Sequence, residues 1–199
     1  QTPIPKSSLR ATDNIHRNIE NYFKPRGLYY DRRKNFYKNE GKKPTEIISI
    51  PFLSQCLMTV LLQQPDSARA RPSTLLEDDD SYNKLFHENT SLSTYFTIAT
   101  WGREVEERLK EVKKYETTEC SDIKFYVLYY AACAKISNLY PSNKKIEEIA
   151  SVDLLDSDID SAISVCYDIY KELGGNDKVA KGSEYLEKIK EKLKMMHRL

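Results

Sequence analysis

The stretch GLYYDRRKNFYKNEGKK at residues 27–43 interleaves aromatic and basic side chains. Tyr29, Tyr30, Phe36 and Tyr37 alternate with Arg32, Arg33, Lys34, Lys38, Lys42 and Lys43. Lysine and arginine neutralise phosphates, and aromatic rings or guanidinium planes stack on unpaired bases. Counted over residues 24–43, eight bases face only Asp31 and Glu40, a net charge of +6. This pattern predicts a DNA- or RNA-binding surface built from Tyr29, Tyr30, Arg32, Arg33, Lys34, Tyr37 and Lys38. A second reading keeps the tyrosines in the core and pairs the arginines with acids of residues 73–199, or docks the block on another domain. Arg69 and Arg71 either extend the basic patch or pair with Asp78–Asp80 to lock a turn, since a rigid guanidinium fork suits carboxylate pairs.

Other combinations fall short of a reactive site. Pro65-Asp66 followed by Glu111-Val112-Lys113 spells the letters of a metal-dependent nuclease core. That core needs its acids on adjoining strands, and Glu111 lies in a helical pattern. His87-Glu88 lacks the second histidine that a zinc-protease helix carries four residues after the first. The Glu77–Asp80 run offers carboxylates for a divalent cation, but it also suits the start of a helix, where acids oppose the dipole. His16, His87 and His197 are scattered, no serine has an elbow-type glycine context, and no glycine loop cradles phosphate. No catalytic residue, metal or cofactor is assigned, and this chain is expected not to be an enzyme in its own right.

Charge is uneven along the chain. Residues 1–72 hold 13 Lys/Arg and 6 Asp/Glu, whereas residues 73–199 hold 18 and 24. The basic first part and acidic second part agree with a charged partner for the first. Cys56, Cys120, Cys133 and Cys166 form no Cys-x-x-Cys pair. With three in apolar helical patterns, they are expected as reduced thiols of a cytoplasmic protein. The apolar runs Phe52–Leu62 and Val127–Ala134 are too short for a bilayer, so no membrane partner is expected. The chain begins with Gln1, which points to a piece of something longer with a domain upstream.

The elements that must position the block are mostly helical. Six glycines in 199 residues, and many charged side chains at helical spacing, predict a mainly α, irregular multi-helix bundle. A small strand-bearing or loop-rich portion is expected near residues 27–50, with extended segments at 28–31 and 46–49 and a helical turn at 33–38. Residues 1–11 read as an extended lead-in. Thr12 or Asp13 caps a helix through Phe23, ended by Pro25 and Gly27. Pro51 opens a helix to about Gln64. Short helices follow at 65–70, 73–76 and 78–86. Ile98, Gly102, Val105, Leu109 and Val112 mark a long amphipathic helix. The next, starting at Ser121 or Asp122, is apolar nearly all round through Ile136 and belongs at the centre. Pro141 and Ser142 break the chain before a short helix at 144–150. Two more helices follow, one ended by Gly174 and Gly175. Tyr126, Tyr129, Tyr130, Tyr167 and Tyr170 at helical spacing suit a core, and also an oligomer interface.

Several consecutive pieces carry a family likeness: QTPIP at 1–5, LRATDNIHRNIENYF at 9–23, GLYYDRRKNFYKNEGK at 27–42, IISIPFLSQCLMTVLLQQPDSARARPSTLL at 47–76 and DDDSYNKLF at 78–86. With these, the first part of the chain resembles the abortive infection phage resistance (AIPR) protein family, over about residues 1–90. The resemblance implies a C-terminal fragment of a bacterial anti-phage protein with a nuclease-like portion upstream. It supplies no catalytic residues. Residues 1–90 are accordingly expected as the C-terminal part of an abortive-infection-type domain, and 91–199 as a helical bundle packed on it or continuous with it. The function expected is a non-catalytic module that binds nucleic acid or positions the upstream effector. The alternative is a protein-interaction, oligomerising or autoinhibitory docking module.

Overall fold

A computed structural model describes residues 13–136 and 143–197. The lead-in over 1–11, the cap at Thr12 and the break at Pro141–Ser142 lie outside the described residues. The fold is mainly helical, with one two-stranded parallel sheet in its N-terminal part.

Helix α1 (Asn14–Phe23) buries His16, Ile19 and Phe23 on one face. It leaves through a 3-10 turn at Lys24–Arg26, and Gly27 takes φ 87°, a left-handed conformation that costs a glycine little. Strand β1 (Tyr29–Asp31) then pairs in parallel with β2 (Ile47–Ser49), Tyr30 opposite Ile48 and both fully buried. Parallel neighbours need a crossover of a dozen or more residues. Residues 32–46 supply it with the short helix α2 (Phe36–Asn39) and a 3-10 turn at Pro44–Glu46. The basic-aromatic block is therefore a crossover, tied at both ends to a buried sheet. Its second strand is held further by Arg103, whose guanidinium donates to the Ile47 carbonyl.

Helix α3 (Ile50–Val60) is capped by Ser49, whose Oγ accepts from the Phe52 N–H at 3.2 Å. It stops earlier than the expected Gln64. Gln63 adopts φ 54°, and the Gln64 N–H turns back to the Met58 carbonyl at 3.0 Å before Pro65 opens α4 (Pro65–Ala70). Helices α5 (Pro72–Glu77) and α6 (Asp79–Leu85) follow. Helix α7 (Leu92–Glu111) starts at Ser91, whose Oγ accepts from the Thr94 N–H. Gly102 lets α7 pass close to α3. A Cβ built there would stand 2.5 Å from Cys56 Sγ and 3.2 Å from Phe52 Cζ.

Helix α8 (Thr117–Lys135) lies at the centre, against α3, α4, α7, α10 (Asp156–Glu172) and α12 (Ser183–His197). Its start is four or five residues earlier than the expected Ser121 or Asp122, because Glu119 reaches back to the Glu116 N–H at 3.1 Å. Short α9 (Asn143–Glu148) and α11 (Asp177–Lys181) complete the order. Tyr126, Tyr129, Tyr130 and Tyr170 are buried, and Tyr167 stacks on Tyr115 at 3.7 Å. One hydrophobic cluster runs from Ile19 and Tyr30 through Trp101 and Val127 to Leu193, crossing residue 90 without a gap. Cys56, Cys133 and Cys166 are buried in it as free thiols, and Cys120 is half-buried. Among the described residues, no helix is long and apolar enough to cross a membrane.

Candidate nucleic-acid interface

The block is anchored from beneath by a chain of polar contacts. The Tyr30 hydroxyl lies 2.8 Å from His16 Nδ1, and the other imidazole nitrogen, Nε2, lies 2.6 Å from the Tyr82 hydroxyl. The Tyr82 hydroxyl donates to Asp13 Oδ2 at 3.0 Å. Those contacts join β1, α1 and α6. Phe86 closes the cluster edge-on to His16 at 4.6 Å. Because Tyr30 has no exposed surface, its ring cannot stack on a base. Burial, first of all, holds its hydroxyl well above the usual tyrosine range.

Glu20, on α1, forms a second anchor. Its two oxygens accept from Arg32 Nε and from the Tyr37 hydroxyl, each at 2.5 Å. Burial and then the bond to Glu20 push the Tyr37 hydroxyl up, so it stays a donor. Asp31 sits where the chain turns into α2. Burial raises its carboxyl, while the backbone N–H groups of Tyr37, Asn35 and Phe36 pull it down.

Above these anchors the rings and cations form a ladder. Lys42 Nζ lies 4.5 Å over the Tyr29 ring, Tyr29 contacts Tyr37 at 5.2 Å, Tyr37 meets Phe36 edge-on at 5.0 Å, and the Arg33 guanidinium lies 4.7 Å over Phe36. One turn earlier, Arg26 lies 3.6 Å over Tyr22. Lys34 and Lys38, four residues apart at α2, are exposed, as are Lys24 and Lys43. Among the described residues, Lys24, Arg26, Arg33, Lys34, Lys38, Lys42 and Lys43 make no ion pair.

The expected residues therefore divide. Arg33, Lys34 and Lys38 are exposed on one short segment. Tyr29 is half-buried with a cation over its ring, and Arg32 is half-buried on Glu20. Tyr30 and Tyr37 are inward, and the base-stacking role read for them does not fit their burial. Arg69 also leaves the set. Its guanidinium bridges Asp122 Oδ1 and Asp177 Oδ1, each at 2.8 Å, where α4 meets α8 and α11. Pairing with Asp78–Asp80 was the expected structural use of Arg69. Asp122 replaces that run because the buried start of α8 brings a carboxylate against α4. Arg71 is exposed beyond the end of α4 and lines a cleft with Asp66, Ser67 and Lys181.

Sequence reading missed His16 and Glu20, and left Phe36 and Lys42, though counted in the block, out of the binding set. A signal existed for two of them. His16 lies three residues before Ile19 on the apolar face of α1, and Phe36 lies three after Arg33. Glu20 carried none, because an acid on an amphipathic helix reads as solvated. Of the other groups, Asp78 Oδ2 accepts from the Ser81 N–H at 3.0 Å and caps α6. Asp66 lies on α4 and Glu111 on α7, so the nuclease letters sit on helices rather than adjoining strands. Among the described residues, no three His, Cys, Asp or Glu side chains gather for a metal.

A family model described as AIPR protein matches residues 1–176. The match reaches well beyond the 90 residues that carried the likeness in the sequence. No curated protein and no solved structure matches the chain.

Proposed function

The chain belongs to the AIPR protein family, a membership that implies a phage-defence protein of the abortive-infection type, and from that premise we propose that it is a binding module that holds nucleic acid on the β1–β2 crossover. Of the eight cations at 24–43, all but Arg32 have no carboxylate partner among the described residues, five of them on the crossover and Lys24 and Arg26 just before it, and that observation carries the reading. Phosphates are the complementary partner, and neutralising them releases condensed counterions. Lys38 projects from α2 and Lys34 from the turn before it, Arg33 and Lys42 flank them on fixed rings, and Lys24, Arg26 and Lys43 extend the charge. In the cytoplasm of an infected cell such a module would place an upstream effector of the same protein on its target. The chemistry would belong to that effector.

The test is fluorescence anisotropy with labelled DNA and RNA at low salt. Wild type is compared with Arg33→Ala/Lys34→Ala/Lys38→Ala, all three at exposed positions. Binding that weakens with salt, and less steeply in the variant, is expected. Equal behaviour of the two proteins, or no binding at 50 mM salt, would reject the proposal and make the block a docking face for protein.

A further inference from the structure

We infer that the crossover grips the phosphate backbone of a double helix, independently of base sequence, and does not stack on the bases of a single strand. The inference rests on the proposed nucleic-acid reading of the same face and deepens it.

A single-strand binder works with two parts, a basic track for the backbone and open aromatic faces on which successive bases lie. Here the aromatic part is present in sequence but not available in space. Tyr30 is fully buried and Tyr37 is 3% exposed. The remaining three rings each carry a cation: Lys42 on Tyr29, Arg33 on Phe36 and Arg26 on Tyr22. Their other contacts are rings as well, Tyr37 for both Tyr29 and Phe36, and Phe96 for Tyr22 at 6.2 Å. A base could reach the cation-bearing face of each ring only by displacing an attracted cation.

The same arrangement favours the backbone. A cation over a ring is held electrostatically. Arg33 and Lys42 are thus ordered before any ligand arrives, at opposite ends of the Lys42–Tyr29–Tyr37–Phe36–Arg33 ladder. Side chains ordered in advance lose less entropy when they bind. The ladder rests on Glu20 through the Tyr37 hydroxyl, and through Tyr29 it stands on the buried sheet. Lys34 and Lys38 stand between the ladder's ends in sequence and bring further charge. A rigid row of cations suits a ligand whose phosphates are fixed, and a duplex carries about one charge per 1.7 Å of axis. The ladder offers phosphate contacts, and Arg32, the guanidinium nearest the buried sheet, has its Nε tied to Glu20 instead of free for a base edge.

The experiment uses the full 199-residue chain with four probes: a 25-bp DNA duplex, a shuffled duplex of the same composition, a 25-bp RNA duplex, and the single DNA strand. Anisotropy is measured between 50 and 200 mM KCl. The duplexes are expected to bind more tightly than the strand, and the shuffled duplex within about twofold of the original. The two duplex arms tell DNA from A-form RNA, and preference for either is consistent with backbone recognition. Phe36→Leu and Tyr29→Leu keep apolar volume but remove the ring face. Each is expected to weaken duplex binding by about two- to fivefold, the worth of an exposed cation–aromatic contact, with the salt slope unchanged. Arg33→Lys keeps charge at an exposed position where folding is not at stake, and it should likewise leave the slope unchanged. Tighter binding of the single strand, with a loss above tenfold in Phe36→Leu or Tyr29→Leu, would overturn the inference and leave nucleic-acid binding standing. No binding to any probe at 50 mM would overturn both.

Discussion

Replacing Arg69 by alanine separates a structural arginine from an interface one. Arg69 holds two carboxylates that differ in surroundings: the Asp122 side chain is 7% exposed and that of Asp177 54%. The exposed partner contributes little, within the ~0–1 kcal/mol usual for surface pairs. Asp122 is the costly one. Without Arg69 its Oδ1 is a buried charge, and among the described residues the carboxylate keeps only the Tyr170 hydroxyl, which donates to Oδ2 at 2.7 Å. Breaking one side of a buried pair costs about 3–5 kcal/mol, and the surviving tyrosine bond places this case near 3. For a chain of this size that corresponds to a melting temperature lower by roughly 6–12 °C. At a urea slope of about 2 kcal/mol/M the midpoint falls by about 1.5 M. Urea titration followed by circular dichroism measures it directly. Asp177→Asn should move the midpoint by less than a third as much. Arg69→Met with Asp122→Asn should regain most of the loss, because no unpaired charge is left. The salt slope of nucleic-acid binding should be the same in Arg69→Ala as in wild type. A midpoint unchanged in Arg69→Ala, with a salt slope shallower by about 0.9, would refute the reasoning and return Arg69 to the interface.

Three further outcomes follow from the packing and the charges. Gly102→Ala should destabilise by about 1–2 kcal/mol despite alanine's better helix propensity, because its methyl meets Cys56 Sγ. Cys56→Ala in the same chain should remove most of that cost, read as a urea midpoint. In thiol labelling of the native protein, Cys120 should react first, since it alone of the four cysteines is half-buried, while burial holds the Cys56 and Cys133 thiols up at about 12. Acid unfolding should draw on Glu119, Asp158 and Asp160. The Glu116 backbone N–H and Lys171 hold Glu119 down, and Arg108 holds Asp160 down. The Leu155 backbone N–H and Lys135 outweigh desolvation at Asp158. A carboxyl lowered in the fold adds stability above its ordinary value, near 4, and loses it as pH falls toward the folded value. Glu119→Gln should therefore lower stability at pH 7 and flatten its decline below pH 4.

The helical plan was legible because periodicity and punctuation agreed. Pro25 and Gly27, Pro51 and the Gly174–Gly175 pair all stand where helices start or stop. The strand positions were legible too, from Tyr29–Tyr30 and Ile47–Ile48, but their parallel pairing was not, since register depends on a crossover that no local pattern specifies. Boundaries moved where a cap was overlooked: Glu116 and Glu119 lengthen α8, and a left-handed Gln63 shortens α3. In the site, charge was readable and orientation was not. Alternation of ring and base says that both types are present. Which rings turn inward was decided by partners far along the chain, His16 and Tyr82 for Tyr30, and Glu20 for Tyr37. The partner of Arg69 lies 53 residues away at Asp122, beyond any local rule.

The central claim is that the seven unpaired cations on and just before the crossover bind phosphate, and the salt dependence of duplex binding by the wild-type chain tests it most directly. If about five of the seven cations engage, the logarithm of affinity should fall with the logarithm of KCl concentration at a slope near −4.5. Affinity would then drop on the order of 500-fold between 50 and 200 mM. A slope near zero, or no binding at 50 mM, would contradict the account.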